Sequence, residues 1–258
     1  MYGLARLLLM PVLLAVSTTD PRADAGRLGV VLLHGKQSAP EEHGPLGDTI
    51  AGAGHPLERP EMCWSGRRIY DRPYLECLQE IDAAIGRLGQ RGAVRIVLVG
   101  HSLGANGALG YGARHRLAGV AALAPGHLPE VLAGRLPVAE SLERARRLLA
   151  AAHRARTPFA DFNGDLAITV MATPETYLSF FSADSPAVMP ANAARLQAPL
   201  LYVVGTGDPF QRGPDYIFAK APPRPLNRHA AVHATHFGTS AAAAEIVVSW
   251  LRAVAAAD

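Results

Sequence analysis

The stretch Gly100-His101-Ser102-Leu103-Gly104 leaves a chain few choices of local structure. It follows the largely apolar run Val94 to Val99 and precedes the small residues Ala105-Asn106-Gly107-Ala108. The first reads as a buried strand, the second as a helix that packs closely. Between them the backbone turns sharply at a serine. The glycines on either side let strand and helix approach without a Cβ in the way. Such a turn pushes the serine Oγ out over the sheet edge, next to a helix N-terminus. The pentapeptide alone is only moderately specific, because glycine, serine and leucine are common. Ser102 is a candidate nucleophile whose weight depends on what the rest of the chain places beside it.

The same strand-turn-helix rhythm runs along the sequence. Leu28 to Leu33 is a solid apolar run ending at His34-Gly35, and Leu117 to Leu123 is another, stopped by Pro125-Gly126. Between them, Leu75 to Leu88 places Leu78, Ile81, Ile85 and Leu88 on one helical face. Leu200 to Val204 ends at Gly205-Thr206-Gly207-Asp208, and Ala230 to Ala234 is a short strand before His236. Thr239 or Ser240 is expected to cap a final helix with Ile246, Trp250 and Val254 along one side. Buried strands alternating with helices predict an α/β fold, a mostly parallel sheet covered on both faces. Residues 127–196 break the rhythm with an arginine-rich helix, a Pro158 to Gly164 loop and an aromatic segment. They are read as a small cap or lid inserted in a single domain spanning residues 26–258.

A chain of 258 residues, 49% hydrophobic, can bury one large core, and 18% charge excludes disorder and coiled coil. The net charge of +3 is carried mostly by arginine. Many arginines fall between Arg135 and Arg156, where Glu140 with Arg144 and Glu143 with Arg147 form (i, i+4) pairs of a solvated helix face. No basic groove interleaved with aromatics is present, so a nucleic-acid partner is not expected. Arg6, the apolar stretch Leu7 to Val16 and Ala23-Asp24-Ala25 read as a signal peptide cleaved after residue 25. Export to a periplasm or the medium follows, with no stable membrane span after processing; an uncleaved anchor is the alternative. Cys63 and Cys77 could pair in an oxidising compartment, yet Cys77 also suits a buried free thiol among Leu75, Leu78 and Ile81.

In an open parallel sheet, ligands gather at the C-terminal ends of the strands. Four such ends carry useful groups. Ser102 would be the nucleophile, His236 the general base and later acid, and Asp208 the residue that orients the imidazole. The backbone N–H groups of Lys36, in the turn after the first strand, and Leu103 would bind an oxyanion. His34 would shape that first turn. Asp215 is the rival to Asp208, and His233 the rival to His236. His229, His233 and His236 lack the ligand pattern of a metal site, so no metal is expected, and no cofactor is needed because His236 would supply both proton transfers. His127 is given a supporting or surface role.

In this order, serine then acid then histidine, the motifs resemble those of the α/β-hydrolase fold superfamily. The resemblance covers nearly all of residues 26–258 and implies a serine esterase or lipase-like enzyme acting through an acyl-enzyme on a small-molecule ester, or on a thioester or amide. Two features depart from the pattern: the chain leaves room for few or no strands before Leu28, and the His-Gly turn continues as Lys36-Gln37 rather than as a glycine run. Trp64, Phe159, Phe162, Tyr177, Phe180 and Phe181 are candidate pocket residues, with closure of the cap's own core as the competing role. A cofactor-free lyase or perhydrolase on the same scaffold, or a non-catalytic envelope binding protein, is the rival reading.

Overall fold

Strand β1 (Leu28–Leu33) is buried along its whole length, and its side chains divide between two cores. Val31 and Leu33 point to one face of the sheet; Leu28, Val30 and Leu32 point to the other. This period-two division explains the unbroken apolar run, since both faces are covered. The computed structural model describes residues 27–257. The signal-peptide reading and the question of strands before Leu28 both lie outside these residues.

After β1, the helix Gly44–Gly52 leads to the two-residue strand β2 (Leu57–Glu58), and the helix Tyr74–Gln90 leads to β3 (Arg95–His101). The helix Leu103–Gly112 follows at once, then β4 (Gly119–Leu123). Two helices, Pro129–Leu132 and Val138–Ala150, precede the hairpin strands β5 (Thr157–Asn163) and β6 (Leu166–Ala172). Helices Pro174–Phe181 and Met189–Ala193 come next. β7 (Leu200–Gly205), β8 (Arg228–Val232), a short helix Thr239–Ala242 and the helix Ala244–Ala256 complete the chain.

The main sheet has the order β2-β1-β3-β4-β7-β8 and every pairing in it is parallel. Its register aligns the strand ends: Leu33 pairs with Gly100, His101 with Leu123, Leu123 with Val203, and Gly205 with Val232. The turns after β1, β3, β4, β7 and β8 therefore open along one edge. The helix Ala244–Ala256 buries Val247, Trp250, Leu251 and Val254 against one face. The helices Tyr74–Gln90 and Leu103–Gly112 cover the other.

Three local expectations are corrected. The Pro158 to Gly164 stretch is mostly strand: β5 pairs antiparallel with β6, and only Gly164, at φ +65°, belongs to the turn. Pro158 fits because a two-stranded sheet consists of edges, where a missing N–H costs little. Neither Thr239 nor Ser240 caps the last helix. That helix begins at Ala244, while the Thr239 hydroxyl donates to Thr235 O at 2.8 Å. On the helix Val138–Ala150, Glu143 pairs with Arg146, and Arg144 lies 4.9 Å over the Phe159 ring. The side chain of Arg144 is drawn inward by an aromatic face rather than along the helix by Glu140.

Cys63 and Cys77 form a disulfide, with Cα atoms 5.6 Å apart, that fastens the loop after β2 to the first turn of the helix Tyr74–Gln90. Residues 127–196 pack onto the sheet's helical layer through an aromatic cluster. Phe159, Tyr177 and Phe181 stack in succession at 4.4 and 4.5 Å, and Phe180 meets Tyr70 and Tyr74 edge-on at 4.8 and 5.3 Å.

Candidate active site

Ser102 adopts φ 53° and ψ −119°, between the last residue of β3 and the first of the helix Leu103–Gly112. A positive φ on a residue with a Cβ stores strain, held here because the turn is locked on both sides. A Cβ on Gly100 would lie 2.1 Å from Gly104 O, and one on Gly104 would lie 2.3 Å from Leu33 O. Both glycines are thus required by backbone contact. The Ser102 N–H donates to Leu123 O at 3.0 Å, tying the turn to β4. Gly126 leaves the serine open from the next strand end, since a Cβ there would stand 2.8 Å from Ser102 Oγ.

His236, four residues beyond β8, reaches back over this turn. Its Nε2 lies 3.0 Å from Ser102 Oγ and its Nδ1 lies 2.7 Å from Asp208 Oδ2. A carboxylate accepts, so Nδ1 carries the proton and Nε2 is free to accept from the serine hydroxyl. The Asp208 side chain is fully buried, and its Oδ1 accepts from Phe210 N at 2.9 Å, which fixes its orientation. His101 Nε2 donates to the carbonyl of His236 at 2.9 Å and steadies the loop that carries the imidazole. Burial pushes the His101 ring down to about 3, so it stays neutral.

The rival residues lie elsewhere. Asp215 is exposed, and His233 is exposed beside the Thr206 hydroxyl. His229 leans on Tyr202 at 5.3 Å, so the three late histidines do not converge.

The turn after β1 is held by His34. Met62 N–H donates to its Nε2 at 3.0 Å, which leaves Nδ1–H to donate to Gly35 O at 2.8 Å. Lys36 follows, and Gln37, at φ 52°, donates its N–H to Trp64 O at 2.8 Å. Leu103 is the first residue of its helix, so its N–H has no acceptor within that helix. The Lys36 side chain turns away to Asp161, at 2.8 Å, and to Phe162 O, at 2.9 Å. The first turn is thereby pinned to β5.

Solved structures share this architecture. The ferulic-acid-bound Est1E of Butyrivibrio proteoclasticus superposes with a TM-score of 0.62 at 15% identity, covering 91% of each chain. A monoacylglycerol lipase of Paleococcus ferrophilus gives 0.60 at 21% identity, over 87% of this chain and 94% of that one. The thioesterase domain of the curacin biosynthetic pathway gives 0.56 at 15% identity, over 87% and 90%. This chain has the α/β-hydrolase fold. No protein-family model and no curated protein matches its sequence.

The cleft of this fold opens beyond the strand ends, where open parallel sheets place their ligands. It has a volume of about 280 Å³ and reaches Ser102, Gly126 and His236. Leu128, Val131, Leu132, Phe162, Phe210 and Phe237 give it apolar walls; Arg135 and Arg212 add positive charge. The Arg135 guanidinium lies 3.7 Å over the Phe162 ring.

Of the six aromatics read as pocket residues, only Phe162 lines this cleft. Phe159, Tyr177, Phe180 and Phe181 are buried in the cluster beneath the hairpin, where large flat rings fill the gap between segment 127–196 and the layer below. Trp64 is buried with its Nε1 donating to His34 O at 3.0 Å, so it supports the first turn from behind. His127 is fully buried rather than on the surface, and donates to Phe180 O at 2.8 Å. Phe210 and Phe237, two residues after Asp208 and one after His236, are wall residues the sequence reading missed. Their closeness in sequence to those two residues was the available signal. Nothing comparable marks Val131 or Leu132.

Proposed function

We propose that this protein is a serine hydrolase that cleaves a small carboxylic ester through an acyl-enzyme intermediate. The observation that carries the reading is the hydrogen-bonded row Ser102–His236–Asp208, at 3.0 and 2.7 Å, on a strained turn facing an open cleft. Lipases, esterases and a thioesterase among its structural neighbours support ester-type chemistry in general.

In this reading His236 Nε2 takes the Ser102 proton as Oγ attacks the ester carbonyl. Asp208 holds the ring in the accepting tautomer and stabilises the imidazolium. The Leu103 and Lys36 N–H groups receive the oxyanion; each such donor lowers the barrier by about 3–4 kcal/mol in comparable enzymes. The imidazolium then protonates the leaving alcohol, and water activated by the same nitrogen releases the acid. A cleft of about 280 Å³ sits at the small end of ligand sites, so short acyl groups are the preferred substrates. Export after removal of the N-terminal apolar stretch completes the proposal. No helix among the described residues is long and apolar enough to cross a membrane.

The test is covalent labelling. A tagged fluorophosphonate should modify Ser102, mapped by mass spectrometry, and the adduct should vanish in His236→Ala. p-Nitrophenyl acetate and butyrate should turn over faster than the decanoate. A folded protein whose Ser102 stays unlabelled, and which hydrolyses none of these esters, overturns the proposal.

A further inference from the structure

Beside the Ser102 turn, three side chains from two distant parts of the chain converge. Glu42 and His43 end the loop that follows the Lys36 turn; His101 ends β3. One ligand atom from each lies within 4.8 Å of the other two: a Glu42 carboxylate oxygen, a His43 ring nitrogen and a His101 ring nitrogen. We propose that Glu42, His43 and His101 bind a divalent transition-metal ion of the zinc class.

The hydrogen bonds of the two imidazoles carry the argument. His101 Nε2 faces the His236 carbonyl at 2.9 Å, and a carbonyl only accepts. Nε2 therefore holds the proton, and Nδ1 presents a lone pair. His43 Nδ1 lies 3.0 Å from Ser240 Oγ, an oxygen that can accept from it. His43 Nε2 and His101 Nδ1 are both buried without a hydrogen-bond partner, in side chains 3% and 1% exposed. One ring nitrogen held by an oxygen and the other left bare is how a protein orients metal-ligating histidines. Glu42 Oε2 stands 3.5 Å from His43 Nε2 and also receives the Ser38 hydroxyl.

The two imidazoles are buried, while Glu42 reaches the surface. A Cβ on Gly35 would lie 3.5 Å from His101 Nδ1 and 3.6 Å from Glu42 Oε2, so the donor atoms sit directly under the first turn. Two neutral imidazoles and one carboxylate suit zinc and its neighbours rather than calcium or magnesium, which take oxygen ligands. Bond lengths near 2.0–2.1 Å require ligand atoms roughly 3.4 Å apart, so closure needs a shift of about an ångström. The Glu42 side chain, 30% exposed, can supply it. A bound ion would clamp the Lys36 turn to the serine turn and, through His101, to the backbone of His236. The proposal stands independently of the ester-hydrolase reading, because its assay measures metal.

The full chain is stripped with a chelator, loaded with zinc, desalted and analysed by elemental mass spectrometry. Affinity is measured by competition with a chromophoric chelator. The wild type should retain one zinc per chain and gain thermal stability from it. Glu42→Gln should weaken binding at least about tenfold, and His43→Asn further. Cobalt should give visible d–d bands in the wild type that His43→Asn lacks. If His43→Asn does not fold, Glu42→Gln, at a partly exposed position, decides alone. Failure of the wild type to retain zinc overturns the proposal. So does zinc bound as tightly by the folded variants, or lost only with His233→Ala.

Discussion

Replacing Lys36 by methionine tests how much of the site's geometry rests on one buried ion pair. The Lys36 side chain is 9% exposed and Asp161 fully buried, with Nζ and Oδ1 2.8 Å apart. Asp161 also accepts from Tyr70 OH at 3.1 Å and from Phe162 N at 2.6 Å, so its carboxylate is satisfied on both oxygens. Burial and this carboxylate hold the Tyr70 phenol well above its usual range, which keeps it a donor. Methionine keeps the stem's volume but leaves the carboxylate charge buried and uncompensated, which costs about 3–5 kcal/mol. For a domain of this size that is roughly 6–20 °C in Tm. Asp161→Asn should cost less, because the ammonium of Lys36 can turn towards the cleft it lines. The double replacement removes both charges and keeps an acceptor for Tyr70, so it should recover about 2 kcal/mol relative to Lys36→Met. Urea unfolding of the four proteins supplies the cycle. A Lys36→Met protein within about 1 kcal/mol of wild type, or additive single effects, would refute the idea that this pair pins the first turn to β5.

Three further outcomes follow from the same geometry. Asp208→Asn keeps an acceptor for Phe210 N but lets His236 take the wrong tautomer; kcat should fall about 10⁴-fold with little change in unfolding midpoint. Reduction of Cys63–Cys77, or Cys63→Ala with Cys77→Ala, should lower stability by about 3 kcal/mol, the loss expected when a loop of this length is no longer closed. Burial, aided by the charge of Lys36, pushes the His127 ring down to about 3, while the unfolded chain takes a proton near 6.5. The folded state thus refuses a proton that the unfolded state accepts. His127 should cost stability as pH falls through that window, at up to about 1.4 kcal/mol per unit. His127→Gln, which still donates to Phe180 O, should flatten the acid limb of urea midpoints measured between about pH 7 and pH 4; an unchanged slope counts against a neutral buried ring.

What could be read from the sequence divides along the range of the interaction. Each β-strand core run, the serine turn and the chain order of Ser102, Asp208 and His236 are local patterns. A parallel sheet then requires their strand ends to meet, and the register from Leu33–Gly100 to Gly205–Val232 brings them together. The aromatics of segment 127–196 show where this reasoning stops. Phe162 and Phe159 sit three apart on one strand with the same chemistry, yet one lines the cleft and the other is stacked on Tyr177. Their odd spacing puts them on opposite faces of β5, and the packing of that strand decides which face meets the cleft. The sequence leaves the cysteine pair open for a related reason, since its bond depends on a Cα separation of 5.6 Å that spacing alone does not fix. The arginines of the helix Val138–Ala150 followed a nearby ring and an i+3 carboxylate instead of the i+4 pattern. Glu42, His43 and His101 are the limiting case. No motif spacing links them, and each reads separately as a loop acid, a loop histidine and the variable residue of the serine turn. They come together only once β1 and β3 are neighbours, so no sequence pattern signals the two bare ring nitrogens that the fold sets side by side.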